Sequence, residues 1–302
     1  MPTSRRRFLM GATAAAAAAL PIAAQRTKLK VHISVDMEGI AGVVSDDQLS
    51  PGAFEYERFR NFMTRETVAA VNGAKDAGAT EILIADSHGN GENLLIDQFP
   101  NDVRVIRSWP RKLGMMAGVD ATFDAAIFIG YHASTTNTRG VRAHTFSSAK
   151  LTRVALNGTA VTEGAFNAAI AGHFNVPVVL VAGDDAAIAE VRSVVGNIEG
   201  AETKRALSFH SADTITPDAS CLMIREKVRA AVARRADFKP YRVSSPVTLE
   251  VSFKHYRPVE LLGYLRGVER IDSHTIRYRG QDMLDISDFS MFLTHYDPNL
   301  EP

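Results

Sequence analysis

Acidic and imidazole side chains follow three of the short apolar runs at which strands of this sequence are predicted to end. Asp36 and Glu38 follow the run at 29–35, while His88 and His132 come just after two later runs. Because side chains alternate along a strand with a period of two, Asp36 and Glu38 are expected to project from the same face. Two carboxylates aimed at one point repel each other unless a cation or a shared proton lies between them. The pair therefore indicates a metal site, with a helix N-cap and a solvated loop end as the alternative.

The segments that must position these residues alternate between predicted strands and predicted helices. Apolar runs predict strands at 29–35, 81–85, 103–106, 125–129, 151–156 and 178–182, and helical spacing predicts helices at 54–77 and 161–172. A strand, a helix and a further strand in this order predict a right-handed βαβ unit with parallel strands. Residues 28 to about 200 are therefore interpreted as a doubly wound α/β unit with a mostly parallel sheet.

The remaining third of the chain has a less regular pattern. It predicts an amphipathic helix at 217–235, strands at 247–253 and 275–278, and a closing helix at 282–294. We interpret residues 25–200 as a metal-binding α/β domain and residues 201–302 as a smaller C-terminal α+β portion. The sequence leaves open whether this portion is a second domain or belongs to the first.

The expected ligands lie where an α/β fold binds its ligands. Beyond the carboxyl ends of parallel strands, Asp36, Glu38, His88 and His132 are expected to meet. Glu163 lies in the first turn of a predicted helix, where the helix dipole favours a carboxylate even without a metal. Mixed carboxylate and imidazole ligands suit zinc, manganese or iron(II) better than calcium or magnesium. Five such groups exceed the needs of one tetrahedral ion, so two ions sharing one carboxylate, about 3.5–4 Å apart, are the simplest arrangement.

The first 24 residues predict an export signal. Three consecutive arginines, Arg5 to Arg7, precede Phe8, Leu9 and a short alanine-rich apolar run, which is typical of the twin-arginine type that exports folded proteins. The run is too short and too rich in alanine for a firm membrane anchor, and small residues predict a cut after Ala24. We therefore expect a periplasmic or secreted protein with no stable membrane anchor after removal of the signal.

Composition bounds the partners and the redox chemistry. The formal net charge is zero, and removal of the three signal arginines leaves a mildly acidic chain. No nucleic acid is therefore expected as a partner. Cys221 is the only cysteine, so no disulfide can form within the chain.

Short motifs carry a resemblance to a known family. They occur in order as Ser34 to Gly42, Asp86 to His88, Gly130 to Ala133, Gly140 to His144, Asn157-Gly158 followed by Glu163-Gly164, and Val181 to Asp185. In this combination the sequence resembles the zinc-dependent D-aminopeptidase family over essentially the whole mature chain.

The resemblance implies a role for each candidate residue. Asp36 would bridge two zinc ions per subunit, Glu38 and His88 would complete one site, and His132 and Glu163 would complete the other. His144 would be the catalytic residue, as a nucleophile or general base. The subunits would assemble into a homo-oligomer, a ring-shaped decamer.

Other residues of these motifs have simpler interpretations. Asp86 either orients a ligand imidazole or forms a turn, and Asp184 and Asp185 are predicted to cap a helix. Arg142 stands where the type member of the family has a methionine, and a cation at that position could pair with a substrate carboxylate. The remaining histidines match no ligand position and are predicted to be structural: His32, His173, His210, His255, His274 and His295.

The sequence thus predicts an exported zinc metallopeptidase that removes the N-terminal residue from short peptides by a two-metal mechanism. Peptides containing D-amino acids are the expected substrates, as the resemblance implies. Two alternatives remain open at this stage. One is a metal-dependent hydrolase of another amide or of a phosphoester, and the other is a non-catalytic exported metal-binding protein.

Overall fold

The structure of the protein is a computed structural model that describes residue 1 and residues 28–296. Nearly all of the predicted export signal therefore lies outside the described residues. Among the helices within these ranges, none has both the length and the apolar character that a membrane span requires.

The described chain alternates between strands and helices from Lys30 onward. The strands are β1 (Lys30–Val35), β2 (Glu81–Asp86), β3 (Val103–Ile106), β4 (Ala125–Tyr131), β5 (Leu151–Leu156), β6 (Thr159–Ala160), β7 (Val178–Asp184), β8 (Glu199–Ser208), β9 (Ser211–Thr214), β10 (Val247–Phe253), β11 (Val268–Arg270) and β12 (Thr275–Gly280). The helices are α1 (Tyr56–Asp76), α2 (Glu163–His173), α3 (Asp185–Val195), α4 (Pro217–Ala233), α5 (Tyr256–Leu262) and α6 (Met283–His295).

A seven-stranded sheet forms the centre of the described part, in the order β3-β2-β1-β4-β7-β8-β9. All neighbouring strands are parallel except β9, which runs antiparallel to β8. The strands β4 and β7 are buried along their whole length, as nearly continuous apolar runs covered on both faces should be. Helices α1 and α4 pack against each other and against this sheet, and α2 and α3 form a second such pair. The α/β fold with a mostly parallel sheet is therefore confirmed.

A smaller antiparallel sheet has the strand order β11-β12-β10-β5-β6. The interpretation of residues 151–156 as a strand of the parallel sheet is wrong, because this strand, β5, pairs with β10 in antiparallel orientation. The pairing partner lies almost a hundred residues further along the chain, and an apolar run does not encode its partner. Each sheet takes strands from both sides of residue 200, and the division into domains at that point stays a prediction.

The remaining differences from the predicted elements concern where two helices begin and which elements the sequence did not predict. Helix α1 begins two residues later than predicted, at Tyr56, and α2 begins at Glu163 after Thr162, whose side chain accepts a hydrogen bond from the Ala165 amide. The sequence interpretation missed β6, β8, β9, β11 and α5. Strand β8 includes Glu199, Glu202, Lys204 and Arg205, so it lacks the apolar run by which the other strands are recognised.

Two glycines allow β1 and β4 to end side by side. A Cβ atom added to Gly39 would lie 2.1 Å from the Tyr131 carbonyl oxygen, and one added to Gly130 would lie 2.0 Å from the Asp36 carbonyl oxygen. Gly130 also has a positive φ of 73°. The close approach of the two chain segments is what requires a residue without a side chain at both positions. This approach brings the residues after β1 next to those after β4.

Candidate metal centre

Three adjacent strands deliver four of the predicted ligands to one place. In the sheet, β1 lies between β2 and β4, so Asp36 and Glu38 after β1 lie between His88 after β2 and His132 after β4. Both acids lie just beyond the last residue of β1 rather than within the strand. The Asp36 amide continues the ladder by donating to the Ile129 carbonyl oxygen at 2.8 Å.

Asp36 is shared by two groups of side chains. Its Oδ1 lies 3.2 Å from His88 Nδ1, and its Oδ2 lies 3.2 Å from His132 Nε2. Glu38 Oε2 is 3.0 Å from the same His88 nitrogen, and Glu163 Oε1 is 3.4 Å from the same His132 nitrogen. The cluster therefore consists of Asp36, Glu38 and His88 on one side and Asp36, His132 and Glu163 on the other. All five side chains are buried.

Helix α2 supplies the fifth member of this cluster. Glu163 is its first residue, and the side chain of Thr162 caps the helix. Glu163 Oε1 also accepts a hydrogen bond of 2.7 Å from the Phe146 amide, which fixes the carboxylate. The helix dipole stabilises an acid at this position, and the contact with His132 shows that the side chain also faces the cluster.

Backbone carbonyls orient the two imidazoles of the cluster. His88 Nε2 donates to the Leu49 carbonyl oxygen at 2.9 Å, and His132 Nδ1 donates to the Ala133 carbonyl oxygen at 3.0 Å. In the neutral imidazole the other nitrogen then carries a lone pair, and in each residue that nitrogen faces two carboxylates. A lone pair held in this direction by a carbonyl partner is the usual arrangement of a metal-ligating histidine.

The buried carboxylates of the cluster need positive charge beside them to be stable as anions. Burial and the adjacent Glu38 carboxylate raise the pKa of Asp36. Burial acts to raise the pKa of Glu38, but the charge and hydrogen bond of His88 together with the charges of His132 and His144 outweigh it, and the pKa of Glu38 lies well below its ordinary value. Burial acts to lower the pKa of both imidazoles, but the adjacent carboxylates outweigh it: Glu38 and Asp36 together raise the pKa of His88 well above 6.5, and Glu163 and Asp36 do the same for His132. Three buried acids thus demand neighbouring cations.

Two buried atoms at the centre of the cluster show where a cation fits. Asp36 Oδ2 and His132 Nε2 form no hydrogen bond with any group in the described ranges, although they lie 3.2 Å apart. Buried polar atoms without partners are costly. A metal ion bound by both atoms would remove that cost, so the residues fit a metal centre of carboxylate and imidazole ligands.

His144 lies beside the cluster and is oriented in a similar way. Its ring stacks on His132 with the centroids 4.0 Å apart, and its Nδ1 donates to the Arg142 carbonyl oxygen at 2.8 Å. Its Nε2 faces Glu163 Oε1 at 3.8 Å and Glu38 Oε1 at 4.0 Å. These distances exceed those of His88 and His132, so His144 lies further from the acids. Its Nε2 nevertheless forms a third group of metal-ligand spacing with Glu38 and His132.

The cluster lines a cavity of about 220 Å³. Asp36, Glu38, His88, Glu163 and His144 all contribute to its wall. Apolar side chains form much of the remaining wall, chiefly Trp109, Leu113, Met115, Phe146, Phe166 and Ile170. No lysine or arginine of the described chain lines it.

Several residues of uncertain role in the sequence now have a place. Asp86 accepts hydrogen bonds from the Asn93 and Leu94 amides and so holds the turn after β2, which is the second of its two interpretations. Asp184 caps α3 by accepting from the Ala187 amide, and Asp185 is the first residue of that helix. The guanidinium of Arg142 pairs with Asp46, stacks on the Phe209 ring at 4.9 Å, and does not line the cavity.

Sequence reasoning missed one wall of the cavity. Helix α6 contributes Ser287, Ser290, Met291, Thr294 and His295, at the spacing of one helix face. The sequence predicted the helix but gave no indication of which residues it would face. His295 is thus a cavity residue, although it belongs to none of the described groups with metal-ligand spacing.

The fold and the cluster together define an α/β protein with acids and imidazoles gathered at the carboxyl edge of a mostly parallel sheet, an arrangement suited to a metal-dependent hydrolase. The sequence matches the peptidase family M55, D-aminopeptidase, over residues 29–292. It is 31% identical over 267 residues to a D-aminopeptidase of Bacillus subtilis (strain 168). The alignment covers 88% of this chain and 97% of that relative. The chain therefore belongs to the M55 D-aminopeptidase family and is a peptide hydrolase.

A solved structure supports the same assignment. The Zn-dependent D-aminopeptidase DppA from Bacillus subtilis, a self-compartmentalizing protease, matches with a TM-score of 0.84 at 30% sequence identity. The match covers 90% of this chain and 100% of that one. The family, the fold class and the enzyme class predicted from the sequence are thereby confirmed, while the role of each site residue stays a prediction.

Proposed function

We propose that this protein is a zinc-dependent D-aminopeptidase that removes the N-terminal residue from short peptides at a centre of two zinc ions. The observation that carries the proposal is that Asp36 presents its two oxygens to two separate imidazoles, each 3.2 Å away and each oriented by a backbone carbonyl. A bridging carboxylate between two metal ions needs this geometry. Asp36, Glu38 and His88 would hold one ion, and Asp36, His132 and Glu163 the other.

Zinc suits this set of ligands because two imidazoles and three carboxylates combine nitrogen and oxygen donors. When bound, a pair of zinc ions supplies Lewis acidity to the scissile carbonyl and lowers the pKa of water toward neutrality. The relative DppA is described as Zn-dependent, which supports the same metal here.

His144 has the position of a general base. Its Nδ1 proton is held by the Arg142 carbonyl oxygen, so Nε2 is free to accept a proton on the side of the acids. The same nitrogen can then return the proton to the leaving amine. The ring stacks on His132, which fixes its plane relative to the cluster.

The cavity favours the amino end of a peptide. Carboxylates of Glu38 and Glu163 line it and can attract a free α-ammonium group. No lysine or arginine of the described ranges lines it, so no side chain there would pair with the C-terminal carboxylate of a peptide. A volume of about 220 Å³ admits a small residue and excludes folded protein. The cavity admits a short peptide, and the match to the D-aminopeptidase family favours an aminopeptidase over a phosphoester hydrolase.

The experiment that tests this function compares tripeptides that begin with D-alanine and with L-alanine. Release of the N-terminal residue is measured with the purified protein, after a chelator, and after zinc is restored. We expect release from the D-alanine peptide that is lost with the chelator and recovered with zinc. Glu163→Gln, which removes one charged ligand, should lose both zinc and activity.

Absence of metal-dependent release from both peptides would contradict the peptidase assignment for this chain. Zinc bound without any hydrolysis would favour a non-catalytic metal-binding protein. Release from the L-alanine peptide alone would retain the aminopeptidase and reject the stereochemical preference.

We further propose that the protein assembles into a homo-oligomer, a ring-shaped decamer. The relative DppA is described as self-compartmentalizing, and the segment 256–271 of this chain exposes apolar side chains, including Tyr264 at 88% and Tyr256 at 59%. Sedimentation velocity of the purified protein measures the assembly, and a monomer at micromolar concentration would reject it.

We also propose export by the twin-arginine route to the periplasm or the outside of the cell, on the basis of Arg5, Arg6 and the apolar run that follows. Replacing both arginines by lysine should leave the precursor inside the cell. Unchanged export of that variant would assign the signal to the route for unfolded chains.

A further inference from the structure

A buried lysine lies behind the proposed metal centre. Lys204 belongs to β8, and only 2% of the residue is exposed. Its Nζ donates to the carbonyl oxygens of Glu38, Ile40 and Val43 at 2.5, 2.9 and 2.7 Å. An ammonium group has three N–H donors and no acceptor, so the three carbonyls use its full capacity. The Lys204 ammonium is therefore a buried cation whose three N–H donors are all bound by backbone carbonyl oxygens.

The neighbouring residue of β8 binds the same turn. Thr203 Oγ1 donates to the Gly39 carbonyl oxygen at 2.6 Å. The two side chains therefore bind four carbonyls of the segment 38–43, which leaves β1 and crosses toward β8. Burial lowers the pKa of Lys204 to about 8, against the opposing charges of Asp184, Glu66 and Glu38.

The turn 38–43 carries one of the proposed ligands. Glu38 extends from it toward His88 Nδ1 at 3.0 Å and toward His144 Nε2 at 4.0 Å. Because Lys204 binds the backbone of Glu38 itself, the ammonium determines where the base of this side chain lies. Without the ammonium, three carbonyl oxygens would remain buried with fewer partners, and the turn would have to move to regain them.

We propose that Lys204 is a positioning residue of the metal centre, which with Thr203 fastens the turn 38–43 to β8 and so fixes the Glu38 carboxylate. This inference rests on the proposed function, since it assigns Glu38 to the metal. Lys204 does not line the cavity, so its effect on the site is exerted through the turn 38–43 that carries Glu38.

The test compares Lys204→Met with Lys227→Met. Methionine keeps most of the length of lysine and removes the donors. Lys227 of α4 is the control because its Nζ likewise donates to a backbone carbonyl, that of Gly200 at 2.6 Å, and pairs with Glu199 at 3.0 Å, but forms no hydrogen bond with the turn 38–43. Zinc affinity is measured by competition with a chromophoric chelator, and the ligand geometry by the absorption spectrum of the cobalt(II)-substituted protein.

We expect Lys204→Met to bind zinc about 10- to 100-fold more weakly, the usual effect of losing a group that orients a ligand. Its cobalt spectrum should also change, whereas Lys227→Met should match the wild type in both measurements. A purely structural role would lower the melting temperature of Lys204→Met without altering the cobalt spectrum. Wild-type affinity and spectrum in a folded Lys204→Met would overturn the proposal.

Thr203→Val decides the question if Lys204→Met does not fold. It removes one donor at nearly constant volume, and it should weaken zinc binding in the same direction but less. A folded Thr203→Val with unchanged affinity and spectrum would then reject the proposal. Failure of the wild type to bind zinc would instead refute the proposed function, so the two failures are distinguished by the wild-type measurement.

Discussion

The histidine beside the cluster offers the sharpest separation of catalysis from metal binding. His144→Ala is expected to keep its zinc and its fold while losing most of its turnover. The Nε2 atom of His144 lies 3.8 and 4.0 Å from the nearest carboxylate oxygens, compared with 3.0–3.4 Å for the corresponding contacts of His88 and His132. Removing the ring leaves the groups Asp36–Glu38–His88 and Asp36–His132–Glu163 complete and breaks only the third group with metal-ligand spacing, Glu38–His132–His144.

The size of the loss follows from the role of the residue. A positioned general acid–base group contributes about 10²- to 10⁴-fold, which corresponds to about 2.7–5.4 kcal/mol in the activation free energy. The stability cost should be smaller, since the variant gives up one stacked contact with His132 and one hydrogen bond to the Arg142 carbonyl oxygen, each worth about 0.5–1.5 kcal/mol.

The assay measures kcat and KM on a tripeptide with N-terminal D-alanine, together with zinc content by elemental analysis. His88→Ala should lose zinc and activity together, because it removes a proposed ligand. His255→Ala is the control, since this exposed histidine lies outside the cavity and should leave both quantities unchanged. Near-normal turnover in zinc-loaded His144→Ala would refute the general-base role, and loss of zinc in that variant would make His144 a ligand.

Three further predictions concern charge in and around the site. Purified protein should contain two zinc ions per chain, and Asp36→Asn should reduce this number; a wild-type ratio of one or below after zinc is supplied would exclude a bridging role for Asp36. Burial raises the pKa of Glu66 to about 7 from 4.5, so the protonated form is favoured in the folded state and stability should fall as the pH rises from about 4.5 through 7. The expected fall in the free energy of unfolding is on the order of 3 kcal/mol, and Glu66→Gln should reduce it when urea unfolding is measured at several pH values. An unchanged pH dependence in this variant would show that Glu66 does not cause the fall. Arg142→Met should lower kcat several-fold with little change in KM, because the arginine anchors the carbonyl that orients His144; a selective rise in KM for peptides with a free carboxylate would instead assign Arg142 to substrate binding.

Local chemistry in the sequence determined most of the candidate site. Asp36, Glu38, His88 and His132 each follow an apolar run, and the rule that parallel strands end at one edge was enough to expect them together. The resemblance to the family added His144, which a loop position alone could not distinguish from a surface histidine. The structure brings all of these residues and Glu163 to one cluster.

Tertiary structure decided what depends on partners far apart in the sequence. Nothing in the run 151–156 showed that β5 would pair with β10 rather than join the parallel sheet. Lys204 looked like one more charge in a polar segment, and only the crossing of the turn 38–43 over β8 makes it a buried donor to three carbonyls. Hydrogen-bond partners and strand neighbours depend on how whole elements pack, so the sequence alone does not determine them. The ligand and donor atoms that a site can offer depend only on its residue types, which the sequence gives directly.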